Sequence, residues 1–408
     1  MTEAYIIDAC RTPRGIGRVG KGALAGIHPH HVAATVLAAI AERNALDTSE
    51  IDDVIWGVST QTGPQGGDLA RMAVLDAGFD PGASAVTLDR FCGSGITSLN
   101  LAAAQVMSGM EDLVIAGGTE MMSYSTAAPP PMPDAGNLRL RERHPQALPG
   151  VCADAIATLE GIDRAALDAF SLASQQRADQ AIRNGHFDRA LVPVYREDGS
   201  LALDREEYPR PQTTLEGLSG LKPAFEALAD LPCEPGGPTF GELVRRKYPE
   251  LNIQHVHHAG SSSGVVDGAA ALLLASPDYA ARRGLKPRAR IVATANAGDC
   301  PTLMLNAPVP AARKVLAKAG LTTDDIDLFE INEAFAVVAE KFIRDLRLDH
   351  DRVNVNGGAI ALGHPIGATG AMLIGMMVDE LERRDLKRGL VTMCAAGGMA
   401  PAVIIERV

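Results

Sequence analysis

Two cysteines, a histidine and an asparagine stand where apolar stretches give way to glycine-rich turns. Cys92 lies in LDRFCGSGITSLNLAAAQVM, between a strand-like AVTL and a small-residue helix. A thiol at a helix N-terminus meets the positive end of the dipole and free N–H groups, which favour thiolate and lower its pKa. Gly93 and Gly95 permit a tight turn and close approach of a substrate. The plainer alternative is a buried structural cysteine at a strand–helix junction. His364 lies in NVNGGAIALGHPIGATGAMLIGMMV, with Gly363 and Pro365 fixing the backbone around it. It is the kind of base that a thiol nucleophile requires, although a lone histidine in such a loop is commonly structural. Asn332 opens NEAFA directly after DLFEI, where it either holds a water or oxyanion or simply caps a helix. Cys394 follows GLVTM and precedes AAGGMA, a place for a tuned thiol that gives and takes a proton. These residues are scattered singly, without the paired spacing of a zinc site, and HVHH at 255–258 reads as a turn, so no metal is expected.

Something must bring four distant positions together, and an internal repeat supplies it. At an offset of 275 residues IAERNALDTSEIDDV (40–54) aligns with VLAKAGLTTDDIDLF (315–329), each an amphipathic helix, a capped acidic step and an apolar strand. Ser94-Gly95 falls on Thr369-Gly370, and with a two-residue slip LVIAGG (113–118) falls on LVTMCA (390–395). The preserved order of all three matches predicts a duplicated α/β unit. Cys92 falls on Gly367, so His364 occupies the loop equivalent to that of Cys92, and a duplicated fold places both loops at the same end of its sheets. The expected division is a first half over 1–120, completed by 250–275, an inserted segment over 121–249, and a second half over 276–408. Within the insertion, 124–150 reads as a loop with a proline run and Arg139, Arg141 and Arg143, 160–184 as helix, and DREEYPRPQ (204–212) as loop. HHAGSSSGVVDGAAALLLAS (257–276) reads as a Gly/Ser turn followed by a buried helix packed on the first half.

The bulk composition agrees with this outline. The chain has 408 residues, 46% hydrophobic and 22% charged, and so reads as globular. Only 4% are aromatic while 41 are glycine, which favours helix-on-sheet layers of Ala, Val, Leu and Ile over a stacking surface for single-stranded nucleic acid. Lys and Arg total 38 against 50 Asp and Glu, a formal charge of −12, which argues against general nucleic-acid or anionic-membrane binding. No apolar run approaches a membrane span, no secretory signal is visible, and the six cysteines contain no CxxC pair. They read as free thiols in a reducing compartment, which places the protein in the cytoplasm.

Taken together these segments resemble the thiolase family. RTPRG (11–15), CGSG (92–95), AGGTEMMS (116–123), NEAFA (332–336), NGGAIALGHPIGATG (356–370) and CAAGG (394–398) stand in family order and spacing, and AGSSSGVVDGAAALLL (259–274) resembles its coenzyme A loop. The resemblance implies the thiolase fold, with two similar βαβαβαββ halves in five αβαβα layers and an inserted loop domain over the cofactor. It implies that Cys92 is the nucleophile that carries the acyl group as a thioester. His364 would activate it and then donate to the substrate thioester oxygen, Asn332 would hold the water completing that oxyanion site, and Cys394 would be the acid/base. The backbone N–H groups of Cys92 and Ala396 would form a second oxyanion hole. Arg210 would lie near the nucleotide of coenzyme A, and Phe225 and Ser263 would line the pantetheine channel. Coenzyme A would be a co-substrate rather than a resident cofactor, and the chain a homodimer or homotetramer, with a β-oxidation enzyme as a further partner.

The sequence also departs from the family pattern. Ser261 stands for the usual Asn, His258 for a common Thr, Ala396 and Ala400 for usual glycines, Leu148-Pro149 for a His-Met pair, and 226–254 is extended. These changes bear on the acyl chain rather than on the reaction class. The leading expectation is thiolytic cleavage of 3-ketoacyl-CoA, with biosynthetic formation of acetoacetyl-CoA as the alternative. A ketoacyl synthase would carry Cys-His-His, against which Asn332 and Cys394 speak. A non-catalytic lipid-binding relative would be expected to lose one of the four residues.

Overall fold

A computed structural model describes residues 2–127 and 132–408 of the chain; the expected proline run at 129–131 lies outside them. Nine strands form one continuous path, Ser84–Leu88, Asp53–Gly57, Leu113–Met121, Val266–Ala275, Tyr5–Arg11, Ala289–Gly298, Met399–Arg407, Arg388–Thr392 and Leu328–Ile331 reading from edge to edge. At its centre only Tyr5 with Arg290 and Ile6 with Ala289 join the two halves of the path. On either side of that junction the directions match. In the first half two parallel pairings lead to antiparallel partners. In the second, Leu328–Ile331 runs parallel to Arg388–Thr392, which is antiparallel to Met399–Arg407, itself antiparallel to Ala289–Gly298. A single parallel bridge from Phe329 to Val353 stands where the first half has its edge strand.

The repeat is therefore a repeat of structure. Helix Pro29–Arg43, the short turn Thr48–Glu50 and strand Asp53–Gly57 recur as helix Pro308–Ala319, turn Thr323–Asp325 and strand Leu328–Ile331. Helix Ser94–Ser108 recurs within helix Ile366–Arg383. These two inner helices touch each other and both sheets, whereas Pro29–Arg43 with Leu69–Asp76, and Pro308–Ala319 with Ala336–Leu346, cover the outer faces. The result is the five-layered αβαβα arrangement that the resemblance implies, with one apolar core under each outer helix layer and a third around the inner helices. The inner helices can meet because their contact is built from backbone: a Cβ on Gly370 would lie 2.2 Å from the Ile96 nitrogen, and one on Gly95 would lie 2.7 Å from the Ala371 nitrogen.

Two local expectations change. The apolar run expected as a buried helix is the strand Val266–Ala275, paired antiparallel on both sides and buried along its whole length. A strand covered on both faces has no polar side and so carries no period-2 signal, and length alone does not separate it from a helix. The basic stretch expected as loop contains helix Leu138–Arg143, and Arg141 is buried, held by Asp134 at 2.7 Å and Glu234 at 3.0 Å. Helix Arg164–Arg183 and the irregular 204–212 segment agree with the sequence reading. No helix among the described residues is long and apolar enough to cross a membrane.

If backbone contact sets the distance between the inner helices, Gly370→Ala should lower stability by about 3 kcal/mol in urea unfolding, because its close neighbours are the backbone of Gly95 and Ile96 and cannot move aside. Gly78→Ala, at φ 74° with nothing within 4 Å, should cost only about 1 kcal/mol from backbone conformation. Equal losses would show that the contact is not tight.

Candidate active site

Cys92 lies in the turn ahead of helix Ser94–Ser108, whose N-cap is Gly93. Phe91, just before it, adopts a positive φ of 49°, a conformation rare for an aromatic residue and held by its surroundings. The Ser94 hydroxyl donates to the Phe91 carbonyl at 2.6 Å and accepts from the Arg90 N–H at 2.8 Å, which locks the turn. Gly93 abuts Pro401 so closely that a Cβ there would meet the proline ring at 2.8 Å. Pro401 in turn accepts a hydrogen bond from Thr392 at the end of the strand leading to Cys394. The Cys92 and Cys394 loops are thereby packed together, and the two sulfurs lie within each other's field.

The thiol of Cys92 does not have the low pKa expected of a helix N-terminus. Loss of solvent and then the negative charge of Glu120 push it up to about 12, against the N–H groups of Cys92 and Ala396, both directed at the sulfur. Burial also raises Cys394, with Cys92 adding to the shift. Glu120, which sequence reasoning passed over as one letter of a motif, accepts N–H groups from Ser59, Thr60 and Gly367 at 3.0, 3.0 and 2.9 Å. It therefore ties the first half to the turn that follows His364. A buried acid at the end of an apolar strand was the signal available.

His364 is buried, and its Nδ1 lies 2.7 Å from the Thr369 hydroxyl. That hydroxyl donates to the Pro365 carbonyl at 3.0 Å, so it accepts the Nδ1 proton and leaves Nε2 with its lone pair free. Nε2 has no partner among the described residues. Burial, with the nearby Arg14 charge second, lowers this imidazole to about 4. Asn332 is not a helix cap, since helix Ala336–Leu346 is capped at Phe335. It is buried, its backbone N–H donates to the Thr392 carbonyl at 3.2 Å, and both amide side-chain atoms lack partners among the described residues. Desolvating such atoms unpaired costs about 1–3 kcal/mol each, so they are suited to a ligand or water.

The glycine–serine loop connects these elements. The Gly264 carbonyl accepts from the His364 N–H at 2.8 Å, and the Ser263 N–H donates to Ala334 at 3.0 Å. Ser263 and Phe225 line one cavity of about 700 Å³. Arg210 lines an adjoining cavity of about 260 Å³, and Tyr208 and Ala259 wall both. Arg210 is exposed, with its guanidinium 5.5 Å from the Tyr208 ring centroid. The three histidines of the HVHH motif are otherwise committed. His255 and His257 each place Nδ1 2.8 Å from Asp154, and His258 places Nε2 2.7 Å from Asp168. The unusual Ser261 accepts the His258 N–H and donates back to its carbonyl.

The profile of the thiolase N-terminal domain matches residues 4–229, and that of the thiolase C-terminal domain matches 285–407. The chain belongs to the thiolase family. It is 39% identical to an acetyl-CoA acetyltransferase of Paracoccus denitrificans, covering all of both chains. A β-ketoadipyl-CoA thiolase of Escherichia coli is 41% identical, again over all of both. A steroid 3-ketoacyl-CoA thiolase of Mycobacterium tuberculosis is 39% identical over all of this chain and 95% of that one. The crystal structure of an acetyl-CoA acetyltransferase from Bacillus anthracis superposes with a TM-score of 0.85 at 33% identity, covering 100% of this chain and 99% of that one. Membership in this family makes the chain an acyltransferase.

The depressed His364 has a measurable consequence. Between its ordinary value of 6.5 and about 4, the unfolded chain takes up a proton at this residue and the folded chain does not. Its contribution to stability is therefore lost as pH falls through that window, by about 3 kcal/mol in total. His364→Asn should flatten urea stability against pH between 6.5 and 4; a curve parallel to wild type would contradict the buried neutral imidazole.

Proposed function

We propose that this thiolase transfers an acyl group reversibly between 3-ketoacyl-CoA and coenzyme A through a thioester on Cys92. The observation that carries the reading is the set of buried, unpartnered polar atoms, His364 Nε2 and the Asn332 amide, in loops packed about two neighbouring sulfurs. In thiolysis the Cys92 thiol gives its proton to His364 Nε2 and its sulfur bonds to the ketone carbon. The N–H groups of Cys92 and Ala396 hold the oxyanion that forms. Its collapse restores a carbonyl and breaks the bond to the α-carbon, whose electron pair moves into the acetyl-CoA enolate. His364, now protonated at Nε2, donates to the enolate oxygen beside a water held by Asn332, and the Cys394 thiol protonates the α-carbon. The Cys394 thiolate then takes the proton of incoming coenzyme A, whose sulfur displaces Cys92 as acyl-CoA leaves, and His364 returns the proton to Cys92.

Thiolate chemistry suits reversibility, because the acyl-enzyme and the acyl-CoA are both thioesters of similar reactivity. The high resting Cys92 and low resting His364 keep the pair neutral until substrate arrives, so charge forms only when an oxyanion site is filled. Degradative thiolysis of 3-ketoacyl-CoA is the assigned direction. In this reading residues 121–249 form the domain over coenzyme A, between halves at 1–120 and 276–408. Coenzyme A is a co-substrate, and the enzyme works in the cytoplasm as a homo-oligomer. The relatives' names span acetyl, dicarboxylic and steroid-derived acyl groups, so a series of 3-ketoacyl-CoAs assayed with free coenzyme A defines the acyl group.

Intact-mass measurement with acetyl-CoA or a 3-ketoacyl-CoA should show an acyl adduct on wild type and none on Cys92→Ala. Cys394→Ala should still acquire the adduct, yet exchange the α-protons of acetyl-CoA with D2O at least about 100-fold more slowly. Exchange equal to wild type would remove Cys394 from the acid/base role, and an adduct on Cys92→Ala would overturn the reading as a whole.

A further inference from the structure

A second unpaired cation faces the coenzyme A cavities. The 700 Å³ cavity lined by Phe225 and Ser263 is also lined by the turn carrying Arg18 and Val19. Arg18 is exposed, and its guanidinium has no ion pair or hydrogen bond among the described residues. Its backbone is fixed, because the Arg18 carbonyl accepts from both Lys21 and Gly22 at 3.0 Å, and the Gly17 N–H donates to Val265 at 2.9 Å. One carboxylate oxygen of Glu207 clamps both ends of the turn, accepting from Ile16 at 2.7 Å and Ala23 at 3.1 Å. Glu207 precedes Tyr208, the ring that walls both cavities and carries Arg210 on its face. One short segment therefore sets the position of Arg210 and of the Arg18 turn together.

Resting on the reading of coenzyme A as co-substrate, we infer that Arg18 binds its pyrophosphate. Coenzyme A presents, in order, a nucleotide with a 3′-phosphate, a pyrophosphate, a gem-dimethyl group, two amides and a thiol. Arg210 lines one of the two cavities that share Tyr208 and Ala259, and the other is lined by Arg18, by the exposed apolar pair Val19 and Val265, and by Phe225 and Ser263. The two cavities thus combine two guanidinium groups with apolar surface, the chemistry that the anionic and apolar groups of the ligand require. In a chain of net charge −12, an uncompensated arginine at this wall gives local attraction that the protein as a whole does not. A guanidinium also suits the paired oxygens of a pyrophosphate.

The test compares coenzyme A, 3′-dephospho-coenzyme A and pantetheine as thiol acceptors in thiolysis of acetoacetyl-pantetheine by the full chain. Arg18→Gln should lower the ratio of kcat/KM for coenzyme A over pantetheine about tenfold, mainly through KM, with the same loss for the 3′-dephospho form. Equal loss with pantetheine would mean that the substitution acts on the turn and overturns the inference. Loss confined to coenzyme A would assign Arg18 to the 3′-phosphate instead, and no loss with any acceptor would remove it from binding. Failure of wild type to turn over any acceptor would count against the proposed reaction itself, separately from Arg18. Arg18→Lys, which keeps charge without the planar fork, should recover part of the ratio.

Discussion

The backbone-to-backbone contact of two inner helices is the constraint from which the rest of the molecule follows. Ser94–Ser108 and Ile366–Arg383 cross where Gly95, Gly367 and Gly370 leave no side chain between them, over the glycines Gly57 and Gly118 of the first sheet. Each helix belongs to a different copy of the repeat, and each begins just after a loop that carries a proposed catalytic residue, Cys92 or His364. Drawing their N-terminal ends together brings the Cys92 turn and the turn after His364 to one place. Larger side chains at the crossing would push the copies apart, and the loops with them. A chain poor in aromatics and rich in glycine is what this geometry demands.

A second constraint is electrostatic. Glu120 is buried and raised by burial, yet three backbone N–H groups from two loops make it a good acceptor. It serves as a structural tie between halves while opposing ionisation of Cys92. Burial acts in the same direction on both partners, raising the thiol and lowering the imidazole. The resting site is therefore neutral, and the N–H groups aimed at the Cys92 sulfur offer stabilisation only when negative charge appears there. Under the proposed reaction the thiolate forms only in the presence of substrate.

The duplication, and with it the meeting of the Cys92 turn and the turn after His364, was legible in the sequence, because register-preserving matches such as Ile51-Asp52 with Ile326-Asp327 survive where overall similarity is faint. What could not be read followed from burial. Val266–Ala275 gave no periodicity because both its faces are covered. The direction of the Cys92 shift depended on desolvation and on Glu120, a residue 28 positions away. Thr369 sets which nitrogen of His364 is free, and its hydroxyl was hidden inside a helix-start pattern. Arg141 looked like part of a basic surface and is instead paired inside the inserted segment, because its partners Asp134 and Glu234 are brought near only by the fold.

The inserted segment shows how an acidic protein can still be shaped for a polyanion. Glu206 is itself buried, with Arg11 at 2.6 Å and Arg14 at 2.8 Å, and Glu207 is spent on backbone N–H groups. Of these two acids beside Tyr208, Glu206 is therefore paired with two arginines of the N-terminal motif, and Glu207 is turned onto the backbone of the turn that carries Arg18. Burying such a pair brings little net stability by itself, since desolvation offsets the attraction. Its effect is positional: it fixes where Tyr208 and Arg210 sit relative to Arg18, and it removes negative charge from the wall they share. The same carboxylates counted in the net charge of −12 thus help to leave the guanidinium groups at the cavity mouths uncompensated, so the sign of the average says little about the sign of the field at the groove.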